Sequence, residues 1–151
     1  MIEDKTIIKA TRDWIMKCPY FYELRDIGVD FLSEDINSNS IEKVPTKPIL
    51  QEYVDGSSKR QFTFILASRF IFSEETKNQI ENSGFYEKVS DWVEEKSKSG
   101  ILPVLGKRKK ALEVEVLSSD YLYNISDNMR SARYQIQIRL IYKKEPVEGY
   151  W

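Results

Sequence analysis

Between residues 3 and 18 the side chains Ile7, Ile8, Thr11, Trp14, Ile15 and Cys18 recur at i, i+1, i+4, i+7, i+8 and i+11. That spacing draws one stripe along a helix of 3.6 residues per turn. Asp4 stands where an N-cap belongs, and Pro19 ends the run because it has no N–H for the next helical hydrogen bond. Ile27, Val29 and Phe31 then alternate with Gly28, Asp30 and Leu32, a short strand followed by a polar loop from Ser33 to Ser40. Runs over 49–54 and 60–67 flank Asp55-Gly56-Ser57-Ser58, where Asp-Gly supplies the positive φ of a tight turn, so a β-hairpin is expected. Its second arm, continuing to Phe72, sets Phe62, Phe64, Leu66 and Phe70 on one face, toward a core.

Ser73 before Glu74 and Glu75 reads as an N-cap with two carboxylates in the first turn, where they complement the helix dipole. Ile80, Phe85, Val89, Trp92 and Val93 carry this second helix to a stop before Gly100. About 24 residues make a helix of ~36 Å; Gly84 inside it predicts a kink or a division into two shorter helices. Leu112, Val114 and Val116 alternate with Ala111, Glu113 and Glu115, one dry face and one wet. After a polar stretch from Ser118 to Ser131, residues 132–143 alternate Tyr134, Ile136, Ile138, Leu140 and Tyr142 with Arg133, Gln135, Gln137, Arg139 and Ile141, the clearest strand in the chain. The order predicts an α+β domain over 1–143, a mostly antiparallel sheet of about four to five strands with two main helices packed on one face, and a tail over 144–151.

At 151 residues and 17.8 kDa the chain has the size of one domain. Its 41% hydrophobic and 13% aromatic content can supply a core, which argues against disorder. No run approaches the ~20 apolar residues that span a bilayer, and the first residues show no secretory signal, so a soluble protein with no membrane partner is expected. Lys+Arg 23 against Asp+Glu 24 leaves a net charge of −1, so any attraction to a polyanion must come from a local patch. The absence of histidine removes the usual general base, the commonest metal ligand and every Ser-His or Cys-His nucleophile. Cys18, the single cysteine, closes the apolar stripe and reads as a small buried hydrophobe.

Few constellations carry chemistry. Residues 55–60 lack the spaced glycines and following helix of a phosphate loop, and read as a turn. Asp30, Glu34 and Asp35 miss calcium-loop spacing and read as solvated. Chemistry by carboxylates or a Ser-Lys dyad needs no histidine, but no spacing selects a pair, and no cofactor is implied. Lys107-Arg108-Lys109-Lys110 is the densest charge run, suited to phosphates, an acidic partner or water. Tyr150 and Trp151 are large aromatics that gain little unless they rest on their own domain or on a neighbour. The last strand, ~40 Å at ~3.3 Å per residue, exceeds the usual strand length, so an overhanging or edge segment open to a second subunit is expected.

Three segments taken together, Tyr53-Val54-Asp55-Gly56 with Arg60-Gln61-Phe62, Asn82-Ser83-Gly84-Phe85-Tyr86-Glu87 leading to Trp92, and Ala132-Arg133-Tyr134-Gln135-Ile136-Gln137, give a chain that resembles the tail-terminator group of tailed phages and prophages. These are small tail-completion, minor structural proteins. The resemblance spans nearly the whole chain and implies a non-enzymatic α+β subunit assembled in the bacterial cytoplasm. Copies would form a ring, commonly a hexamer, on the head-proximal end of a tail tube, ending its growth and meeting the head connector or collar. Partners implied are the chain itself, tube and possible sheath proteins of contractile tails, and DNA only through a ring lumen; phage-tail-like bacteriocins carry such proteins too. It implies no catalytic set. Lys107, Arg108, Lys109, Lys110, Tyr150 and Trp151 are candidate interface residues on the reading of the residues themselves. Three alternatives stay open: a nucleic-acid-binding module acting through residues 107–110, a head–tail connector stopper protein, and a small histidine-free enzyme.

Overall fold

The computed structural model describes residues 6–21, 27–33, 38–71, 76–118, 121–126 and 130–146. In chain order these form α1 (Ile7–Ile15), a 3-10 turn (Pro19–Phe21), β1 (Ile27–Val29), β2 (Asn39–Lys43), β3 (Ile49–Glu52), β4 (Ser58–Ile71), α2 (Thr76–Lys98), β5 (Lys109–Val116), β6 (Tyr121–Ile125) and β7 (Ser131–Lys144).

The cap of α1 is Thr6, whose hydroxyl accepts from the Lys9 N–H at 3.3 Å, two residues beyond the expected Asp4, which lies outside the described residues. The helix ends at Ile15, so Cys18 sits in the turn that leads to Pro19 rather than on the helix. The expected cap of α2, Ser73 with Glu74 and Glu75, lies outside the described residues. Of the kink or division expected at Gly84, the division does not occur: one continuous helix passes through it. It closes in a Schellman motif: Gly100 takes φ +75°, Ile101 N–H donates to Lys96 O (2.9 Å) and Gly100 N–H to Ser97 O (3.2 Å), satisfying the last carbonyls.

The sheet has seven strands, more than the four to five expected, and is mixed because β1 and β2 run parallel. Its spine is the antiparallel pair β4–β7, in register over fourteen residues from Ser58↔Lys144 to Ile71↔Ser131. The expectation of an overhanging or edge final strand is therefore corrected. β7 is paired with β4 along its whole length, and its other side carries β5 opposite residues 138–144 and β6 opposite residues 132–135. β4 is likewise flanked by β3 at one end and β2 at the other. The two unexpected strands have no alternating pattern to betray them: β2 buries the polar Asn39 and Ser40, and every residue of β6 is exposed.

One face of the sheet meets the helices. Ile41, Phe64, Leu66, Ile136, Ile138 and Leu140 are buried with Ala10, Trp14 and Ile15 of α1 and Tyr86, Val89 and Val93 of α2. The Trp14 and Trp92 rings lie 4.8 Å apart between the helices, and the Trp14 indole N–H donates to Ile101 O at 3.0 Å. Ile80, read as part of the α2 stripe, is instead exposed. A bulge between Ala111 and Glu113 exchanges the expected faces of Ala111, which is buried, and Leu112, which is exposed, while Val114 and Val116 keep theirs. Inside the core, Tyr86 Oη donates to Ser68 Oγ at 2.6 Å, and Ser68 Oγ donates in turn to Asn39 Oδ1.

Candidate functional site

The second face of the sheet is covered by no described helix, and its own side chains cross-link it. Arg133 on β7 reaches over β4 to Glu42 on β2 (3.0 Å) and donates to Gln135 Oε1 (2.9 Å), while the Gln135 amide donates to Tyr121 Oη on β6 (2.6 Å). Nearer the other end, Arg139 pairs with Glu115 on β5 and donates to Gln61 Oε1 on β4 at 3.3 Å. Thr63, Ala67 and Gln135 on this face are nearly inaccessible although no described helix lies above them. This is a wired, largely satisfied surface.

Two places on the rim differ from it. The first is β6, where Tyr121, Leu122, Tyr123 and Ile125 are all exposed, Tyr123 at 57%, and the guanidinium of Arg133 stands 5.0 Å from the Tyr123 ring. β6 pairs only with β7, so its far backbone edge is open among the described residues. On the opposite side of the same sheet β1 and β3 likewise pair on one side each, with Val29 and Leu50 exposed.

The second is the end of the sheet where β4 begins and β5 and β7 meet. The predicted basic run divides there: Lys107 and Arg108 form an exposed turn, Arg108 at φ +63°, and Lys109 and Lys110 open β5. Register adds four cations that sequence reading did not connect to the run. Lys59, Lys143 and Lys110 stand in one row across three adjacent strands, Lys144 and Lys109 occupy the next row, and Arg60 lies opposite Tyr142. The Glu145 N–H donates to Arg108 O at 2.6 Å, tying the turn to the end of β7. Among the described residues carboxylates are fewer: Glu145 pairs with Lys143 at 3.4 Å, Glu52 ends β3, and Asp55 sits on the hairpin turn. Hydrogen bonds from the Ser57 hydroxyl and N–H hold the Asp55 carboxyl below its ordinary range, with help from the nearby Lys143 charge. Lys143 also stands 5.9 Å from the Tyr53 ring. Among the described residues no carboxylate forms an ion pair with Lys59, Lys107, Lys110 or Lys144. Beside this end a groove of ≈590 Å³ runs between the 100–106 loop and β5, with Leu102, Leu105 and Leu112 in its walls and Lys109 and Lys110 along it.

The remaining expected positions fall into place more simply. Asp55 and Gly56 form the hairpin turn, Gly56 at φ +90°. Asp30 accepts the Lys43 N–H at 2.9 Å and pairs with Lys43 Nζ at 3.6 Å, while Glu34 and Asp35 lie outside the described residues. Among the described residues no group of three or more Cys, Asp or Glu side chains gathers in metal-binding geometry. Cys18 is buried, and burial pushes its thiol up to about 11 against a backbone hydrogen bond from Tyr20 that lowers it. Tyr150 and Trp151 lie outside the described residues. No described helix is long and apolar enough to cross a membrane. No protein-family model matches the chain, and no curated protein matches it significantly.

Proposed function

We propose that this chain is a structural subunit that joins copies of itself into a ring, the role that its resemblance to tail terminators implies. Such a ring would cap the head-proximal end of a phage-like tail tube, end tube growth and present a surface to the head connector or collar. The observation that carries this reading is the β6 edge, a backbone ladder open among the described residues and flanked by exposed Tyr121, Leu122, Tyr123 and Ile125. Unpaired strand edges with apolar side chains favour pairing with another chain. Because β1 and β3 leave open edges on the opposite side of the same sheet, the occupant that fits best is a second copy added edge to edge. That contact is heterologous, and heterologous contacts generate rings when their rotation closes.

Light scattering on the purified chain should show a species near six times 17.8 kDa, or ring assembly once tail tubes are supplied. Introducing two charges on the edge, Leu122→Asp with Ile125→Lys, should leave a folded monomer, since both side chains are exposed. A chain that stays monomeric and neither caps nor binds tubes overturns the reading. So do tails of normal length in particles lacking the gene.

A further inference from the structure

None of the cations at the basic end of the sheet lies on β6, β1 or β3, although Lys59 and Arg60 adjoin β3, and their cluster is built in a way that folding alone does not explain. Like charges directly opposite one another on neighbouring strands destabilise a sheet. Here Lys59, Lys143 and Lys110 occupy one row of three strands spaced ~4.8 Å apart. Lys109 and Lys144 stand opposite each other in the next row, which points to the other face of the sheet at the same end. The exposed turn at Lys107 and Arg108 then sets two further cations beside the rows, anchored by the Glu145–Arg108 hydrogen bond. With Arg60, eight cations from β4, β5, β7 and one turn gather on the two faces of a single end, against Glu52, Asp55 and Glu145 among the described residues.

We infer that this end is a binding site for the phosphate backbone of double-stranded nucleic acid, read without regard to sequence. Two features favour phosphate over an acidic protein surface. Six of the eight cations are lysines, which are depleted at the cores of protein interfaces, where aromatic residues and arginine dominate, whereas lysine as a compact point charge suits phosphate contacts. The cluster is also unusually dense for a chain whose overall charge is −1, so it makes a local field that survives the neutral average, as a counterion-releasing surface requires. Among the described residues the rings set against these cations are Tyr53, which is exposed, and Tyr142, opposite Arg60, which is buried, and this suits a backbone contact rather than a platform for stacking successive unpaired bases. The site stands whether or not the chain forms rings, because it uses none of the β6 residues.

The test is a fluorescence-anisotropy titration of a mixed-sequence DNA duplex of about 30 base pairs with the full chain, between about 50 and about 200 mM salt. Binding should weaken steeply with salt, with a slope of log K against log salt of about −4 to −7, the value for roughly five to eight neutralised phosphates. The variant carrying Lys59→Gln, Lys110→Gln and Lys144→Gln should bind at least about tenfold more weakly and lose about three phosphates' worth of slope. It should melt at or above the unaltered protein at low salt, because opposed charges have been removed. Lysine acetylation footprinting of the unaltered protein gives a second readout independent of variant folding: duplex should protect Lys59, Lys110, Lys143 and Lys144, not Lys88 or Lys98 on α2. The inference is overturned by no anisotropy change at high protein concentration and low salt, or by a triple variant that folds yet keeps the full slope. Protection confined to α2 overturns it too. Displacement of the duplex by polyglutamate at lower charge concentration than by unlabelled duplex reassigns the site to an acidic protein partner.

Discussion

At the scale of single residues, the buried trio Asn39, Ser68 and Tyr86 fixes α2 to the sheet by direction as well as by area, since each member has a partner inside an otherwise apolar core. Tyr86→Phe removes the donor to Ser68 Oγ and keeps the ring, so the loss reports the hydrogen bond rather than a cavity. Leaving that buried oxygen without its donor should cost about 1–3 kcal/mol. Urea unfolding checks it through a shifted midpoint at unchanged slope; a loss below about 0.5 kcal/mol would mean the hydroxyl contributes little to the core. Cys18 gives a second, pH-dependent effect. Burial raises its thiol from 9.0 to about 11, so above pH 9 the unfolded chain loses a proton that the folded chain keeps. By linkage the folded state then loses stability as pH rises through the interval from 9.0 to about 11. The Tyr142 phenol, also raised by burial and partly offset by Arg60, adds to the alkaline loss. Cys18→Ala should therefore flatten, without abolishing, the fall in melting temperature across that range. An unchanged slope would place the alkaline sensitivity elsewhere.

At the scale of elements, two glycines, one inside α2 and one just past its end, have opposite roles. Gly84 lies inside α2, and a Cβ there would meet nothing within 4 Å, so Gly84→Ala should stabilise by up to about 1 kcal/mol through helix propensity. Gly100 holds the left-handed conformation that closes the Schellman motif, so Gly100→Ala should destabilise by about 1 kcal/mol. Thermal melts of the two variants should move in opposite directions, and shifts of the same sign would contradict the assigned C-terminus. Elements whose burial follows their own period were legible in the sequence: the α1 stripe, the Asp55-Gly56 hairpin, and the alternation of β4 and β7. Elements that break the link between period and burial were not. β2 hides polar Asn39 and Ser40 because Ser68 and Glu42 satisfy them. β6 shows apolar side chains to solvent on both faces, and the β5 bulge exchanges the faces of Ala111 and Leu112. The run at 107–110 was visible, but its union with Lys59, Arg60, Lys143 and Lys144 depends on strand register across dozens of residues, which no local pattern encodes.

For the whole molecule, the long β4–β7 ladder divides the sheet into a fully paired centre and a partly open rim, and this division predicts how the fold opens. Amides at Phe64, Leu66, Ile136 and Ile138 lie on strands paired on both sides and over the helix-facing core, so they should exchange with solvent only through global unfolding. Amides of β6, paired on one side and capped by exposed side chains, should exchange through local opening at a much lower free energy. Hydrogen exchange on dilute monomer should therefore rank the central amides far above those at residues 121–125. Self-association through the β6 edge adds a second dependence, because a state that buries the edge is favoured by mass action. Raising the protein concentration through the range where light scattering detects larger species should then slow exchange in β6 while leaving the central amides at their limit. Association without any gain of protection at 121–125 would move the subunit contact away from this edge, and the open edges of β1 and β3 would have to meet some other surface.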